Sequence, residues 1–431
     1  MSLRQPSSQR PFKVLQGHNY HAHRGGSEVM FETTVELLRA QRHEVAVVQR
    51  DNRDITTFGD KLSAFRQCLS SRTARAEVAR ILRHRQPDIA HFHNLYPLLS
   101  PSVLEACHQA RVPVVLSCHD YKLTCPTAQH LRRGATCEDC LGGNELRCAL
   151  HNCRGNLLLS VAYAARDMVA RYHGQIRDTV SLFLTPTRFA KQQLVKGGYP
   201  AERIEVLGNM VEIPADDPGR PTGDYIAYVG RISREKGIET LLEAARATGV
   251  PVRIAGDPSL MPQLVRSAPA NVRFVGQLER HELPAFYGAA RALVVPSVWF
   301  EVFGIVCGEA MGYGLPVIAS RIGGLPEVVE DGVTGLLFEP GNSNELADTM
   351  QRVWDSDALF HQLGHTARQQ AVQRFSPQVH YQQLVALYCK ALEVRHGVDR
   401  SQVQRSFGPT HELSRGGLDG PLGSTRGSSA A

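Results

Sequence analysis

Short apolar segments alternate with helical segments along the whole chain, and this alternation restricts the fold more than any other feature. Segments such as Val45–Val48 and Ala292–Val295 are too short for helices and are apolar throughout, as strands buried on both faces are. Strands of this kind separated by helices predict an α/β protein with parallel, doubly wound sheets. The predicted strands are 12–16, 45–48, 87–91, 112–116, 180–184 and 203–207, followed by 225–229, 252–255, 272–275, 292–295, 316–319 and 336–338.

The series of strands is interrupted once, by a segment rich in proline. Pro214, Pro218 and Pro221 lie close together, which is typical of an exposed linker. A chain of 431 residues also exceeds what one hydrophobic core usually fills, so two domains are expected. The expected boundaries are 1–10 for a disordered N-terminus, 11–208 for the first domain, 118–153 for a cysteine-rich insertion within it, 209–223 for the linker, 224–375 for the second domain, 376–396 for a C-terminal helix that crosses back to the first domain, and 397–431 for a disordered tail.

Composition argues against several classes of protein. The chain has no run of about twenty apolar residues, so we expect no transmembrane helix. The stretch Met1–Pro11 is polar, so we expect no signal peptide. A formal net charge of +6 is too small to indicate nucleic-acid binding. Ten cysteines without an export signal indicate a reducing compartment, and we therefore expect a cytoplasmic protein.

One segment, residues 61–85, is strongly basic. It predicts a helix or a pair of helices with seven lysine and arginine side chains against a single acid, Glu77. Such a face is either solvated or rests on anionic lipid. Peripheral contact with the inner face of a membrane through this segment is therefore one expectation.

Two glutamates flank the predicted start of a helix near Phe303. Glu301 lies in the loop after a predicted strand, and Glu309 lies about 9 Å further along the helix axis. The unpaired amides at the helix start, which Gly304 leaves open to close approach, can bind phosphate oxygens, and carboxylates can accept hydrogen bonds from hydroxyls. The stretch therefore suits a ligand that is part phosphate and part polyol. Alone, such a pair could equally be one capping acid and one surface acid.

Other candidate residues also follow predicted strands. Arg231 and Lys236 flank a helix start, and an arginine fork with a lysine charge is the pairing expected for a diphosphate. Lys236 could instead pair with a glutamate of its own helix. The turn Gly25-Gly26 tolerates phosphate, or is simply a loop. His119 follows the fourth strand, where ligands of doubly wound sheets gather, and a buried structural histidine is the alternative.

The segment 118–153 interrupts the alternation and is rich in cysteine. Cys137 and Cys140 have the two-residue gap that lets two thiolates share a tetrahedral metal, but one such pair is an incomplete zinc pattern. A structural zinc ion, a loop pinned by a disulfide and a set of buried thiols all fit the pattern. The candidate ligands are Cys125, Cys137, Cys140, Cys148 and Cys153.

The order of these motifs is similar to that of a known enzyme family. The motifs are Glu301-x7-Glu309, Gly230-Arg231 with Glu235-Lys236-Gly237, the Gly25-Gly26 turn and the strand end at His119. Over roughly residues 12–395 they resemble the retaining GT-B glycosyltransferases of family four, the glycosyl transferases group 1. The resemblance implies two Rossmann-like, doubly wound domains that face each other across a cleft, the first for an acceptor and the second for a nucleotide-sugar donor.

The resemblance also implies a role for each candidate residue. Glu309 would hold the ribose hydroxyls, whereas Glu301 and His119 would contact the transferred sugar. Cations and amides would hold the diphosphate, and members of this family usually need no metal or other cofactor. The implied donor-binding residues are Gly25, Gly26, Arg231, Lys236, Gly304, Ile305 and Glu309, and the implied catalytic residues are His119 and Glu301.

The function implied by the resemblance is retaining transfer of a hexose or related sugar from a nucleotide-diphosphate sugar. The acceptor would be a glycan or a lipid-linked molecule, in the synthesis of cell-surface polysaccharide or glycolipid. A nucleotide-sugar epimerase can use the same fold and is the first alternative. A non-catalytic protein that binds a nucleotide sugar, or a metal through its cysteine loop, is the second.

Overall fold

The computed structural model describes residues 10–21, 25–214 and 223–396 of the chain. The disorder expected at 1–10 and 397–431 falls, apart from residue 10, outside the described residues, and so does most of the expected linker. Within the described residues the chain forms two parallel six-stranded sheets, each with an apolar core on both faces.

The first half of the chain forms one of these sheets. Its elements are β1 (Lys13–Tyr20), α1 (Gly26–Ala40), β2 (Glu44–Asp51), α2 (Phe58–Leu69), α3 (Arg72–Arg85), β3 (Ile89–Asn94), α4 (Ser102–Gln109), β4 (Val114–Ser117), a hairpin of β5 (Leu131–Arg132) and β6 (Ala135–Thr136), α5 (Leu146–Leu150), α6 (Leu157–Tyr172), β7 (Leu182–Thr185), α7 (Arg188–Lys196) and β8 (Ile204–Val206). The strands lie in the order β2-β1-β3-β4-β7-β8. Every residue of β3, β4 and β7 is buried, as expected for parallel strands covered on both faces.

The second half repeats this arrangement. Its elements are β9 (Tyr225–Val229), α8 (Ile238–Thr248), β10 (Val252–Ala255), α9 (Pro262–Ser267), β11 (Val272–Gly276), α10 (Leu283–Gly288), β12 (Ala290–Val295), α11 (Ile305–Gly312), β13 (Val317–Ser320), α12 (Leu325–Val328), β14 (Gly335–Phe338), α13 (Ser343–Asp355), α14 (Asp357–Phe375) and α15 (Pro377–His396). The strands lie in the order β11-β10-β9-β12-β13-β14. When the strands are numbered from the start of this half, their order is 3-2-1-4-5-6, which is the order found in dinucleotide-binding sheets.

Each sheet has a point at which the strand order reverses and the loops after two neighbouring strands diverge. The reversal lies between β1 and β3 in the first sheet and between β9 and β12 in the second. Ligands of open α/β sheets bind beyond the carboxyl ends of the strands at such a point. The loop after β9 carries Arg231 and Lys236, and the loop after β12 carries Glu301. The topology therefore brings these three residues to one crevice.

The last helix of the described chain returns to the first domain. α14 ends within the core of the second domain, where the carbonyl of Phe375 accepts a hydrogen bond from Val211 N at 2.9 Å. α15 then packs Leu384 and Tyr388 into the apolar core on one face of the first sheet. The hydroxyl of Tyr388 lies 2.8 Å from His91 Nδ1. The helix therefore completes the core of the first domain and ties the two halves of the chain together.

The two sheets confirm the predicted doubly wound architecture, and all twelve predicted strands are present. The helix expected to begin near Phe303 begins at Ile305 instead. Gly304 before it has a φ of 81°, a left-handed conformation that leaves this residue outside the helix. The basic segment 61–85 forms a helix pair, α2 and α3, as predicted.

The turn between β9 and α8 depends on a glycine. Gly237 has a φ of 69°, and a Cβ at this position would lie 1.8 Å from the carbonyl oxygen of Pro296. Gly249, at the end of α8, has a φ of 68°, but a Cβ there would meet nothing within 4 Å. We expect Gly249→Ala to cost about 1 kcal/mol of unfolding free energy through backbone strain. Gly237→Ala should cost at least about 3 kcal/mol, because steric overlap adds to the strain.

Urea unfolding of the two variants and the parent protein measures this difference. The pair is matched, since both positions have the same left-handed backbone and differ in the space around the new methyl group. Equal losses of stability in the two variants would contradict the close approach of Gly237 to the Pro296 carbonyl.

Candidate functional site

Glu301 lies at the centre of a polar site at the reversal point of the second sheet. Its Oε1 accepts hydrogen bonds from Lys236 Nζ at 2.6 Å, Ser297 Oγ at 2.6 Å and Trp299 Nε1 at 2.8 Å. Lys236 Nζ also lies 5.2 Å from the centre of the Trp299 ring. The loop after β12 therefore folds around its own acid, and the loop after β9 supplies the cation. Lys236 does not pair with a glutamate of its own helix, the alternative that the sequence left open.

The buried charge of Glu301 is balanced locally. The residue is 6% exposed, and burial alone would raise its pKa. The ammonium group of Lys236 and the hydrogen bonds to Oε1 outweigh burial and lower the pKa, so the side chain is ionised at neutral pH. All three hydrogen bonds go to Oε1. The other oxygen, Oε2, is therefore the one that can accept hydrogen bonds from the hydroxyls of a ligand.

Arg231 lies at the rim of the same crevice. Its Nη2 lies 3.3 Å from Glu235 Oε1, and its side chain is 56% exposed. The hydroxyl of Tyr228 donates to the carbonyl of Arg231 at 2.7 Å and so anchors the loop. Burial raises the pKa of Tyr228, and the nearby carboxylates of Glu301 and Glu235 raise it further. Tyr228 thus lies between the Arg231 turn and the Glu301 site.

The amino end of α1, in the first domain, lies against the amino end of α11, in the second domain. A Cβ on Gly26 would lie 2.8 Å from Ile305 Cδ1, so the two helix starts are in contact at this point. The first turn of each helix has N–H groups without partners in the helix, and each amino end carries a partial positive charge. Their convergence makes a site that favours an anion.

Glu309 lies within the second turn of α11. The hydroxyl of Tyr287 donates to its Oε2 at 3.2 Å, and burial raises the pKa of Glu309. Unlike Glu301, this acid has no cation in direct contact among its described hydrogen-bond partners. A hydroxyl-bearing ligand would give it the donors that stabilise its charge.

His119, in the loop after β4, begins a chain of hydrogen bonds below the cleft. Its Nε2 lies 2.9 Å from His93 Nδ1, and His93 Nε2 lies 3.1 Å from Gln16 Oε1. Because the Gln16 amide donates through its nitrogen to the Tyr388 hydroxyl at 3.2 Å, its oxygen must accept from His93 Nε2. His93 then accepts at Nδ1 from His119 Nε2. His119 is left with an unprotonated Nδ1, which is a hydrogen-bond acceptor.

The buried histidines of the first domain are neutral at pH 7. Burial lowers the pKa of His119 to about 4 and that of His91 to about 3, and the pKa of His93 also lies well below its ordinary value. Burial likewise lowers the pKa of His380, whose Nδ1 lies 2.9 Å from the Gly208 carbonyl, to about 4. The tautomers assigned to the chain of histidines therefore hold at physiological pH.

A second polar cluster, which the sequence analysis did not single out, lies beside the Gly25-Gly26 turn. Glu28 Oε1 lies 2.6 Å from His21 Nδ1, and Oε2 accepts from Gly25 N at 2.9 Å. Lys122 Nζ donates to His21 Nε2 at 2.8 Å, so His21 donates a hydrogen bond to Glu28 through its Nδ1–H. Burial would raise the pKa of Glu28, but contacts from His18 and His21 lower it overall. The sequence did contain one signal for this cluster: Glu28 is the third residue of α1, a position at which a glutamate often caps the start of a helix.

The loop around Glu301 is attached directly to the first domain. Thr187, the N-cap of α7, donates through Oγ1 to the Val302 carbonyl at 2.9 Å. Glu327 of the second domain accepts from Arg188 N at 2.7 Å and from Phe189 N at 2.6 Å, and so caps α7 from the other side of the cleft. Each of these hydrogen bonds joins a side chain of one domain to the backbone of the other, and together they hold the two halves of the site in place.

The cysteine-rich insertion contacts the same loop. The hydroxyl of Tyr121 donates to the Glu301 carbonyl at 3.4 Å. Tyr121, Cys125 and Phe189 of the first domain form an apolar cluster with Phe300 and Val302 of the second. The insertion therefore forms part of the wall of the cleft.

The thiols of the insertion pack as small apolar side chains. All ten cysteines of the chain are free, and Cys140, Cys148 and Cys153 pack in one cluster with Ala164 of α6. Within residues 10–21, 25–214 and 223–396, no group of three or more His, Cys, Asp or Glu side chains is arranged to hold a metal ion.

The structure brings together most of the residues named from the sequence. Lys236 and Glu301 are in direct contact, and Gly26 meets Ile305. His119 hydrogen-bonds within its own domain, to His93. Ser297 and Trp299, which hold Glu301, were not predicted, because their role depends on how the loop folds back on itself.

Two family models match the chain in succession. The model described as Glycosyltransferase Family 4 matches residues 24–213, and the model described as Glycosyl transferases group 1 matches residues 212–370. Each model covers one of the two domains, and together they span most of the described chain.

Individual proteins give a consistent comparison. The chain is 33% identical over 265 residues to the D-inositol 3-phosphate glycosyltransferase of Mycolicibacterium smegmatis, over 56% of this chain and 60% of that protein. It spans less than two thirds of the length of the first curated relatives that it matches.

Solved structures match over nearly the whole fold. HepE of Anabaena, in complex with UDP and glucose, superposes with a TM-score of 0.62 at 19% identity, over 87% of this chain and 99% of that one. The sucrose-phosphate synthase of Thermosynechococcus elongatus superposes with a TM-score of 0.66 at 20% identity, over 87% and 98%. At this level of identity the likeness shows the shared two-domain fold.

The buried histidines should make stability depend on pH. His91, His119 and His380 have pKa values between about 3 and about 4 in the folded chain, against about 6.5 when exposed on unfolding. Below pH 6.5 the unfolded chain therefore binds protons that the folded chain excludes. The histidines contribute fully to the unfolding free energy above pH 6.5, and this contribution is lost as the pH falls toward their pKa values in the folded chain. Between pH 7.5 and 5.5 we expect each histidine to lower the unfolding free energy by about 1.4 kcal/mol.

Thermal unfolding midpoints recorded across this pH range measure the effect. His380→Gln should reduce the dependence on pH, whereas His173→Gln, at an exposed position, should leave it unchanged. A midpoint that stays constant from pH 7.5 to 5.5 would contradict the assignment of buried, neutral histidines.

Proposed function

Because the chain belongs to the glycosyltransferases of family 4, the glycosyl transferases group 1, and has the GT-B fold, we propose that it is a retaining glycosyltransferase. It takes a hexosyl or related group from a nucleotide-diphosphate sugar and transfers it to a glycan or lipid-linked acceptor. The second domain binds the donor, and the first domain binds the acceptor.

The contact between Lys236 and Glu301 is the observation that carries this proposal. It places a cation and a buried, ionised acid at the reversal point of the second sheet, where sheets of this order bind nucleotides. The amino ends of two helices converge where Gly26 meets Ile305. Phosphate needs cations and N–H groups, and sugar hydroxyls need carboxylates. A sugar joined to a diphosphate uses both halves of this site.

In this proposal the diphosphate lies at the mouth of α11. Lys236 turns from Glu301 to the phosphate oxygens, and the exposed guanidinium of Arg231 binds them from the rim. The amides of Gly304 and Ile305 and the Gly25-Gly26 turn donate from the two helix ends. A side chain at Gly26 would collide with Ile305 and block this approach, which gives a physical reason for glycine there.

The carboxylates bind the two sugar rings. Glu309 accepts hydrogen bonds from the ribose hydroxyls, and Glu301 accepts through Oε2 from the hydroxyls of the transferred sugar. The unprotonated Nδ1 of His119 accepts a hydroxyl of the same sugar near the reacting carbon. HepE, which shares the fold, was solved with UDP and glucose, so UDP-sugars are the first donors to test.

The site favours departure of the diphosphate. Negative charge gathers on the phosphate oxygens as the glycosidic bond breaks, and the cations and N–H dipoles that bind these oxygens stabilise that charge more in the transition state than in the ground state. The acceptor hydroxyl attacks the same face of the sugar and passes its proton to the departing phosphate. This route retains configuration without a protein nucleophile, and it requires no cofactor.

Further parts of the proposal concern the setting of the enzyme. We place it in the cytoplasm, in the synthesis of cell-surface polysaccharide or glycolipid, where nucleotide sugars are available as donors. The free thiols of Cys125, Cys137, Cys140, Cys148 and Cys153 are not arranged to hold a metal ion within the described residues, so the proposal includes no structural zinc ion. Metal analysis of the purified protein tests that part directly.

Incubation of the purified chain with UDP-, GDP- and ADP-sugars and a panel of acceptors tests the main proposal. Transfer of the sugar to an acceptor, with release of the nucleoside diphosphate, is the expected result. Isomerisation of the donor alone would instead establish the epimerase, and binding without turnover would establish a non-catalytic protein.

The diphosphate assignment predicts the effect of removing both cations. Arg231→Ala with Lys236→Ala should lower turnover by at least about a hundredfold, because the leaving group loses its charge stabilisation. Arg234→Ala is the matched control, since Arg234 lies in the same turn with 82% of its side chain exposed. Steady-state release of nucleoside diphosphate measures both variants. A double variant with the rate of the parent protein would exclude the assignment.

The ribose assignment predicts an effect on affinity. Glu309→Ala should weaken donor binding by about 1.5–3 kcal/mol, because the ribose hydroxyls lose a charged partner. Glu243→Ala, at an exposed position on α8, is the control. Isothermal titration with the donor gives both dissociation constants, and an unchanged constant for Glu309→Ala would rule out this role.

A further inference from the structure

One region of the first domain exposes far more apolar surface than the rest of the described chain. The described chain has twelve exposed large hydrophobic side chains, and eight of them lie on α5 or α6, within residues 146–172. Clustering of this kind marks a surface that meets another apolar phase or partner, whereas single exposed leucines do not. The eight residues are Leu146, Leu150, Leu157, Leu158, Leu159, Val161, Met168 and Tyr172.

Five of the six exposed large apolar residues of α6 lie on one face of the helix, and Leu159 lies outside it. At 3.6 residues per turn, these five fall within a stripe roughly 100° wide that runs for about 22 Å along the axis. No charged residue lies in this stripe. Their exposed fractions are 60% for Leu157, 81% for Leu158, 47% for Val161, 37% for Met168 and 87% for Tyr172.

α5 extends this apolar face. Leu146 and Leu150, which are one turn apart, are 59% and 78% exposed, and α5 packs against α6. Beneath them Cys140 and Cys148 pack with Ala164, so the cysteine-rich insertion is the support that holds the two helices together. We call the exposed residues of α5 and α6 together the α5–α6 face.

The charges around the α5–α6 face are predominantly positive. The acids of this region are engaged within the domain: Glu145 pairs with Arg171 at 2.5 Å, and Asp167 pairs with Arg166 at 2.6 Å. Arg147 and Arg154, in contrast, are exposed and have no acidic partner within the described residues. The guanidinium of Arg154 lies over an aromatic ring of α6, 4.8 Å from its centre.

We propose that the α5–α6 face docks on a bilayer that contains anionic phospholipid. Its leucines enter the boundary between headgroups and acyl chains, and Arg147 and Arg154 bind headgroup phosphates. An apolar stripe beside unpaired arginines has the pattern of helices that lie in the plane of a membrane interface, and a tyrosine at the end of the stripe suits the same depth. Among the described residues, no helix combines the length and the apolar composition that a membrane span requires.

The basic segment 61–85 supplies charge to this surface but no apolar face of its own. α3 buries Ala74, Val78 and Leu82 against the first sheet, and Arg75 lies 3.4 Å from Glu105. α2 packs against α6 and carries the exposed Arg66. The apolar part of the membrane contact therefore belongs to α5 and α6, and α2 adds to the positive charge beside it.

Co-sedimentation of the purified full chain with vesicles tests the proposal without any sugar nucleotide. We expect binding to vesicles of phosphatidylcholine with about 30% phosphatidylglycerol, and at least tenfold weaker binding to phosphatidylcholine alone. Leu158→Glu with Tyr172→Glu should reduce binding at least tenfold. Val372→Glu, at a 44% exposed position on the second domain, is the matched control and should bind like the parent protein.

Folding and competing occupants are checked in the same experiment. Thermal unfolding shows whether the glutamate variant is folded, and Leu158→Trp provides a second measurement, a blue shift of tryptophan emission on addition of anionic vesicles. Vesicle binding that is equal in the parent protein and the folded glutamate variant would overturn the proposal. It would also be overturned if the parent protein ignored vesicles and formed a dimer that the glutamate variant does not form. None of these results depends on transfer activity.

Discussion

A carboxylate without access to bulk water needs a cation, and the pairing of Glu301 with Lys236 meets that need. The two residues come from loops that follow different strands, so the pair forms only when the second sheet has its strand order. Once formed, it holds a negative and a positive group ready at the point where a ligand reaches the sheet. In the proposed function, a donor with phosphates and hydroxyls replaces this internal contact with contacts of its own.

The first domain contributes through its backbone and through neutral histidines. Glu327 of the second domain caps the start of α7, and Gly26 leaves room for Ile305, so the two domains are in contact at both places. The chain of hydrogen bonds from His119 to Tyr388 begins at the cleft and ends on the helix that returns from the second domain. Burial keeps these histidines neutral, with one ring proton each, so each hydrogen bond has a defined direction.

The cysteine-rich insertion has two mechanical roles. One side of it packs Tyr121 and Cys125 against the Glu301 loop, and the other side packs Cys140 and Cys148 under α6. The insertion therefore connects the wall of the cleft with the exposed α5–α6 face through two small apolar clusters, one on each side. The proposed membrane contact and the proposed acceptor site lie on the same domain.

The sequence by itself determined the two parallel sheets, because short strands that are apolar on both faces and separated by helices pack as a parallel sheet covered on both sides. It also singled out Arg231, Lys236 and Glu301 from their positions after strands, and Glu309 from its position in the helix that follows. It could not decide which partner Lys236 takes, since a helix neighbour and a residue 65 positions away are equally open to a linear pattern. It also missed Glu28, Ser297 and Trp299, whose roles arise from loops folding back on themselves. The sequence did not reveal the exposed stripe on α6, because an apolar helix face belongs to the core or to the surface depending on what the tertiary structure packs against it.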